Sequence, residues 1–310
     1  MAPSGYTFGM SGNEKPAVHL IDASIFIFRA WYSMPEDFAD PHGRPTNAVY
    51  GFARFLCEFL EQTGTQHAAV AFDESLATSF RNEIYPDYKA NREPPPADLE
   101  RQFKWCKDLA GCLGLPIYFH PRFEADDLIA ALSRYWRGRG HAVAIITGDK
   151  DLAQLLAGPD DCWWDFARRN RLDSAGVESR FGVRPDQIAD FLALTGDPID
   201  NIPGVPGVGP KTAAALLAHF GCIDALFERI DELAFLKMRG AKAIGPRLRH
   251  HEPTVRLSRQ LTSLETPIAE IEDARHAPRN PTNPDALDVL LDSLGFGRTL
   301  RERLHRLPAG

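Results

Sequence analysis

The chain has 310 residues, 44% apolar and 25% charged, with a formal net charge of −7, which allows one or two buried cores and is the composition of an ordinary soluble protein. Its five cysteines (Cys57, Cys106, Cys112, Cys162, Cys222) are scattered and lack CxxC spacing, arguing against a disulfide framework or a zinc site and for a reducing, cytoplasmic setting. Residues 1–16 lack the basic-then-apolar order of a signal peptide and read as a flexible extension, and no apolar run reaches the roughly 18 residues of a membrane span, so no membrane partner is expected.

From residue 17 onward strand and helix signals alternate. Strands are expected at 17–22, 67–72, 115–119 and 142–146, and helices near 47–62, 98–112, 125–137 and 150–156. That rhythm predicts an α/β domain over 17–173 with a mostly parallel central sheet and flanking helices. From about residue 174 the apolar spacing turns helical and strand signals vanish, so 174–310 is expected to be an all-helical subdomain. Segment 86–97 interrupts the alternation with prolines and cations and is expected as an exposed loop beside the sheet.

Acidic residues recur where the apolar runs stop. Asp22 follows Val18-His19-Leu20-Ile21, Asp73 follows Ala69-Val70-Ala71-Phe72, and Asp149 and Asp151 follow the run from Val143; Glu124, Asp126 and Asp127 come shortly after Leu115–Phe119. In a parallel α/β sheet the carboxyl ends of the strands face one crevice, so these seven carboxylates would share it. A single Asp after a strand is commonly a helix cap, but one cap needs one acid. The excess repels itself, at about 4 kcal/mol for a pair about 4 Å apart at an effective dielectric of about 20, and suggests oxygen-ligand sites for Mg²⁺ or Mn²⁺. With Asp197 and Asp200 added, the nine candidate carboxylates outnumber the acidic excess and the rest of the chain is slightly basic, so the net charge does not exclude a basic nucleic-acid surface around them.

In the helical half, Thr195-Gly196-Asp197 runs through Gly204, Gly207 and Gly209 to Pro210-Lys211-Thr212. Two short helices joined by a glycine turn fit, with backbone approaching another surface at Gly-Val-Gly and free N–H groups near Pro210. This reads as a clamp on a duplex backbone rather than a plain hairpin. Walker A is excluded because Pro210 stands between the last glycine and Lys211. Residues 237–259 carry Lys237, Arg239, Lys242, Arg247, Arg249, Arg256 and Arg259 against the single acid Glu252, a run that is either a solvated helix face or a set of phosphate contacts. The neighbouring clamp favours the second.

The words Ile21-Asp22-Ala23 with Arg29, Ala71-Phe72-Asp73, Phe80-Arg81-Asn82-Glu83, Tyr88-Lys89-Ala90-Asn91-Arg92, Phe123-Glu124-Ala125-Asp126-Asp127-Leu128, Thr147-Gly148-Asp149-Lys150-Asp151-Leu152 and Thr195-Gly196-Asp197 through Thr212 resemble, in order, the 5′-nuclease domain of bacterial DNA polymerase I and the phage flap endonucleases. The resemblance runs from about residue 17 to about 305. It implies a PIN-like nuclease fold with an arch over 80–100 and a helix-hairpin-helix over 197–219. The implied activity is a metal-dependent phosphodiesterase acting on 5′ ends or flaps of nicked or branched DNA; with no polymerase or proofreading segment following, a free-standing nuclease is expected, and a monomer.

Residue by residue, the resemblance places Asp22, Asp73, Glu124 and Asp126 at an inner metal site. Asp149, Asp151, Asp197 and Asp200 fall at a second, and Asp127 is an additional contributor. Lys89 and Arg92 match a basic pair at the scissile phosphate. Arg29, Arg81, Tyr88, Gly204, Gly207, Gly209, Lys211 and Thr212 fall on the DNA-binding side, with a possible monovalent cation at the hairpin turn. Two Mg²⁺ or Mn²⁺ ions would activate water and stabilise the leaving oxygen. Tyr88, set among Pro, Asp and Lys, is expected to be an exposed stacking platform, whereas His19 and the five tryptophans are expected in the core. Two rival readings are a DNA-binding module with weak or lost catalysis, against which the complete acid set argues, and a PIN-type ribonuclease, which would not need so large a helical half.

Overall fold

Runs of Val, Ile, Leu and Ala form the central strands because both faces of the sheet are covered. In the computed structural model of the chain, Ala17–Asp22 (β1), Ala68–Ala71 (β2), Ile117–Tyr118 (β3), Ala142–Ile146 (β4), Cys162–Asp165 (β5) and Asn170–Leu172 (β6) make one sheet in the order β3-β2-β1-β4-β5-β6. All pairs are parallel except β5 with β6. Asp22 lies opposite Ala71, and Ile21 opposite Ile146, so β1, β2 and β4 finish together at one edge. The structure describes residues 17–308 apart from 36, 75–78, 237–240, 265–266 and 273–277. The expected extension over 1–16 lies outside the described residues, as do Lys237 and Arg239.

Ala23–Ser33 (α1) follows β1 without a loop, then come Asn47–Thr63 (α2), Phe80–Ile84 (α3), Ala97–Cys112 (α4) and Ala125–Arg137 (α5). The second half contains Ser174–Phe181 (α6), Ile188–Thr195 (α7), Pro210–Phe220 (α8), Ile223–Glu228 (α9), Ala241–Thr262 (α10), Ala269–Glu272 (α11), Pro284–Ser293 (α12) and Arg298–His305 (α13). Strand alternation sorts the core. Val18, Leu20, Val143 and Ile145 pack with α5 and with Leu192, Leu216, Leu217 and Leu248 of the helical half. Val70, Phe72, Ala144 and Ile146 face α2 and α4, and Leu287, Leu291, Leu300 and Leu304 of α12 and α13 join them there.

The chain therefore returns to the far face of the sheet after α11, and the region expected as one helical unit serves two faces. A second difference is the β5–β6 pair, which sequence spacing did not reveal because Trp163, Trp164 and Asp165 alternate too briefly. A third is residues 151–155, a 3₁₀ turn rather than an α-helix. The tryptophans lie within or against the core: Trp136 and Trp163 are buried, and Trp31, Trp105 and Trp164 pack on it.

His19 stacks edge-on against Phe59, with Nδ1 2.9 Å from Thr65 Oγ1. Burial pushes its imidazole from the ordinary 6.5 down to about 4. The unfolded chain takes up this proton near pH 6.5 and the folded chain only near pH 4, so His19 contributes its stability above 6.5 and loses it as pH falls to about 4. Denaturant unfolding of wild type and His19→Gln across that window should differ in pH slope. Wild type should lose up to about 3 kcal/mol more than the variant, and parallel slopes would show that His19 does not titrate as described.

Candidate metal and nucleic-acid site

The converging strand ends collect the acids. Asp22, the last residue of β1, is buried and accepts a 2.8 Å hydrogen bond from Thr147 Oγ1 beyond β4. Asp73 accepts from Ser24 Oγ and, at 2.9 Å, from the Ala125 N–H at the start of α5. Asp73 thus caps a helix distant in sequence, and that helix carries Asp126 and Asp127 in its first turn. Thr147 Oγ1 also accepts from Asp149 N–H, and Asp149 Oδ1 accepts from Asp151 N–H at 2.9 Å. Asp197 is held by paired backbone bonds with Ile202, at 2.9 and 2.8 Å.

Electrostatics divide the acids into two groups that meet at Asp149. Burial, then Asp73 and Asp149, push Asp22 up to about 7. Burial and the charges of Asp22, Asp149, Asp73 and Glu124 raise Asp126 well above the carboxylate range. Burial and then Asp149, Asp197 and Asp200 bring Asp151 to about 7, with Lys150 opposing. Asp149 is raised chiefly by burial, with Asp200 and Asp197 adding to it. Asp151 Oδ1 is buried without a hydrogen-bond partner. Among the described residues no three acids already close on one point as a finished metal cage. The donor chemistry nevertheless fits hard divalent cations, which take carboxylate oxygens and would remove the repulsion.

Cations of the chain hold several of these acids instead. Lys89 pairs with Glu124 and Arg92 with Asp200, while Lys150 Nζ lies 3.5 Å from both Asp151 and Asp197. Burial alone would raise Glu124, but Lys89 and Arg81 more than offset it and its carboxyl is lowered. Asp127 needs a different account from the rest. Arg81 Nη1 and Nη2 donate to its two oxygens at 2.8 Å, and Nη1 also reaches Glu124 Oε2 at 2.8 Å. Arg81 Nε and Nη2 complete the set on the Leu261 and Ser263 carbonyls.

Three expectations are corrected by this packing. Asp127 is fully buried with both oxygens bound to Arg81, so its carboxylate is committed to that ion pair and is not open to the crevice as a metal ligand would be. Arg81 is 2% exposed and cannot reach DNA. Tyr88 is 4% exposed and packs with Ile202 and Leu261, its hydroxyl donating to Glu124 at 3.0 Å; it is not an exposed stacking platform. The polar neighbours of Tyr88 make the turn look solvated in the sequence. The partners that bury it come from more than a hundred residues away.

Arg29 lies one-third exposed on α1, 3.7 Å from Asp165. At the hairpin, Lys211 is exposed and Thr212 half-buried in the first turn of α8, and Gly209 at its N-cap has no side-chain cap. The three glycines differ. A Cβ at Gly204 would meet the Thr195 backbone at 2.4 Å, so that glycine is required by the chain's own packing. Gly207 has φ of 80°, and a Cβ there would sit 2.2 Å from Arg247 Nη1. At Gly209 nothing lies within 4 Å, so the chain itself gives no steric reason for glycine.

The basic run is also changed. Arg249 pairs with Asp231, Arg256 with Glu252 and Asp224, and Arg259 with Asp190. Arg247 instead donates to the Pro206 carbonyl in the hairpin turn, at 2.9 Å. The side chain of Lys242 is outside the described residues. Among the described side chains of the expected stripe, Arg247 thus lies at the hairpin, while Arg249, Arg256 and Arg259 rest in ion pairs that a phosphate would have to displace. A clean test of the hairpin follows. Gly209→Ala should leave thermal stability unchanged and weaken binding to nicked duplex roughly ten-fold, through loss of close backbone approach. A stable Gly209→Ala protein with wild-type duplex affinity would remove Gly209 from the interface.

The 5′-3′ exonuclease N-terminal resolvase-like domain model matches residues 17–182, and the 5′-3′ exonuclease C-terminal SAM fold model matches residues 183–284. The chain belongs to the 5′-3′ exonuclease family of nucleases. It is 39% identical over 298 residues to DNA polymerase I of Mycobacterium bovis, covering 94% of this chain and 32% of that protein. To thermostable DNA polymerase I of Thermus aquaticus it is 36% identical over 289 residues, covering 93% and 33%. The chain therefore spans about a third of the length of the curated relatives it matches. Among solved structures it is similar to bacteriophage T5 5′-exonuclease with bound divalent zinc, at a TM-score of 0.63 and 20% identity, covering 94% of this chain and 99% of that one. It is also similar to the catalytic core of Rad2 in complex with DNA substrate, at 0.62 and 18%, covering 94% and 92%. Identities this low establish the fold. Among the described residues no helix is long and apolar enough to cross a membrane.

Proposed function

We propose that the chain is a structure-specific 5′ nuclease that hydrolyses phosphodiesters at 5′ ends or flaps of duplex DNA with two Mg²⁺ or Mn²⁺ ions. The observation that carries this reading is the double acid group meeting at Asp149 beneath the cations Lys89 and Arg92. Asp22, Asp73, Glu124 and Asp126 would hold one ion, and Asp149, Asp151, Asp197 and Asp200 the other. Bound there, the ions supply a water acidified to a nucleophile and charge stabilisation at the leaving oxygen.

The chain's residues supply the rest. Asp73, fixed by the α5 N-terminus and Ser24, keeps its group pre-organised. Lys89 and Arg92 sit where a phosphate entering the crevice would exchange their carboxylate partners for its own oxygens, offsetting charge in the transition state. Arg29 and the Gly207–Thr212 turn would hold the duplex on either side. Contacts of this kind position the backbone without reading bases, which suits a substrate defined by its branch and not by its sequence.

The decisive assay offers the purified chain a 5′-labelled flap, a nicked duplex and a single strand, each with Mg²⁺, with Mn²⁺ and with chelator. Cleavage should require the divalent ion. Asp22→Ala, Asp73→Ala, Asp126→Ala and Asp149→Ala should each lower the single-turnover rate on the order of 10³-fold while duplex binding persists. Any two of these variants cutting at the wild-type rate in Mg²⁺ would end the two-ion assignment. Lys89→Ala and Arg92→Ala should lower the rate far more than affinity, and a loss of affinity alone would move both from chemistry to grip.

A further inference from the structure

The turn that carries Lys89 and Arg92 is docked on the loop that carries Asp197 and Asp200, and two asparagines make the docking reciprocal. Asn91 Nδ2 donates to the Pro198 carbonyl at 2.9 Å, and Asn201 Nδ2 donates to the Asp87 carbonyl at 2.7 Å. Between them the Lys89 N–H donates to the Asp200 carbonyl at 3.0 Å. Each segment thus offers one side-chain amide to the other's backbone. Tyr88 and Ile202 pack together beneath the pair, with Leu261 closing the cluster.

The backbone is specialised at the same points. Lys89 and Asn201 both have φ of 56°, and among the described residues only Arg169 shares this left-handed region without being glycine. Such conformations are unfavourable for residues other than glycine and persist where surrounding contacts over-determine them. Asn tolerates the left-handed region better than most residues, so Asn201 suits both the bend and the amide bond. Lys89 has no such tolerance, and its bend is held by the contacts on either side of it.

We infer that Asn91 and Asn201 are positioning residues: they clasp the basic turn 85–92 to the loop 197–202, so that Lys89 and Arg92 are held over the acids by the same element that grips the duplex. The loop leads directly into the Gly204–Gly209 hairpin. A duplex seated on the hairpin would therefore set the position of the basic pair through the clasp, and a single strand that does not engage the hairpin would not. The inference rests on the nuclease reading for its consequence in rate. The clasp itself is a property of the free protein.

The test uses the full chain with Asn91→Ala, Asn201→Ala, Asn201→Gly and the double variant Asn91→Ala with Asn201→Gly. Glycine at 201 removes the amide while accepting the positive φ, so it separates the bond from the backbone bend. Amide hydrogen exchange of residues 85–92, measured without metal or DNA, should rise roughly five-fold in each single variant, the scale of one lost hydrogen bond. Single-turnover cleavage of a saturating nicked flap should fall on the order of 10²-fold, as for a misplaced reacting group, with duplex affinity unchanged. The double variant should be no slower than the worse single one, because both amides serve one clasp.

Unchanged exchange at 85–92 overturns the clasp. So does Asn201→Gly behaving as wild type while Asn201→Ala is impaired, since the effect would then be backbone strain alone. A fall in affinity with the rate intact overturns the positioning role. If the wild-type chain cuts none of the substrates, the nuclease reading fails on its own, and the exchange measurement still decides whether the asparagines hold the turn.

Discussion

One buried guanidinium organises the site. Arg81 is 2% exposed and makes five hydrogen bonds, three to Asp127 and Glu124 and two to the Leu261 and Ser263 carbonyls. Removing a charge from water costs several kcal/mol, and only a nearly complete set of partners offsets it. Those partners come from α5 and from the end of α10, while Arg81 itself sits in α3 at the foot of the basic turn. The arrangement is specific because none of the three elements can move without stranding a charge. Glu124 is fixed as a result, with one oxygen on Arg81 and Tyr88 and the other on Lys89.

The acids beyond Glu124 are in tension, which follows from placing carboxylates at the ends of parallel strands. Burial first, and then the charges of neighbouring carboxylates, raise the proton affinity of Asp22, Asp126, Asp149 and Asp151, and that mutual repulsion would favour a divalent ion. Lys89, Arg92 and Lys150 relieve part of it from within the chain. A polyanion entering the crevice would compete for these same cations. The net charge of −7 says little about such an encounter, because the nine candidate carboxylates alone outnumber the acidic excess of the chain.

The helical half divides its work. The helices from α7 through α10 share a core with α5 and the sheet, so the hairpin and the acid crevice are parts of one packed body. Helices α12 and α13 cover the opposite face beside α2 and α4. Gly114, with φ of 75°, lies against the Asn280 backbone where the chain crosses between them. A Cβ at that point would come within 1.9 Å of the Asn280 carbonyl, so the return path depends on that glycine.

The sequence by itself determined the parallel sheet, the convergence of Asp22, Asp73 and Asp149, the core position of His19, the glycine turn and the family resemblance. These depend on local periodicity and on the rule that parallel strands end at one edge. It could not distinguish Asp126 from Asp127, because adjacent positions on a helix point in different directions and only the docked partner decides which direction is the crevice. Nor could it show that Arg81 and Tyr88 are interior, since an arginine and a tyrosine among prolines and charges look solvated until Leu261 and Ile202 arrive from distant elements. The ion pairs that occupy most of the basic run have the same origin: Asp190, Asp224 and Asp231 lie outside the run and meet it only through packing. Tertiary structure decided these points because burial and pairing are set by contacts between segments far apart in the chain, and no local pattern encodes them.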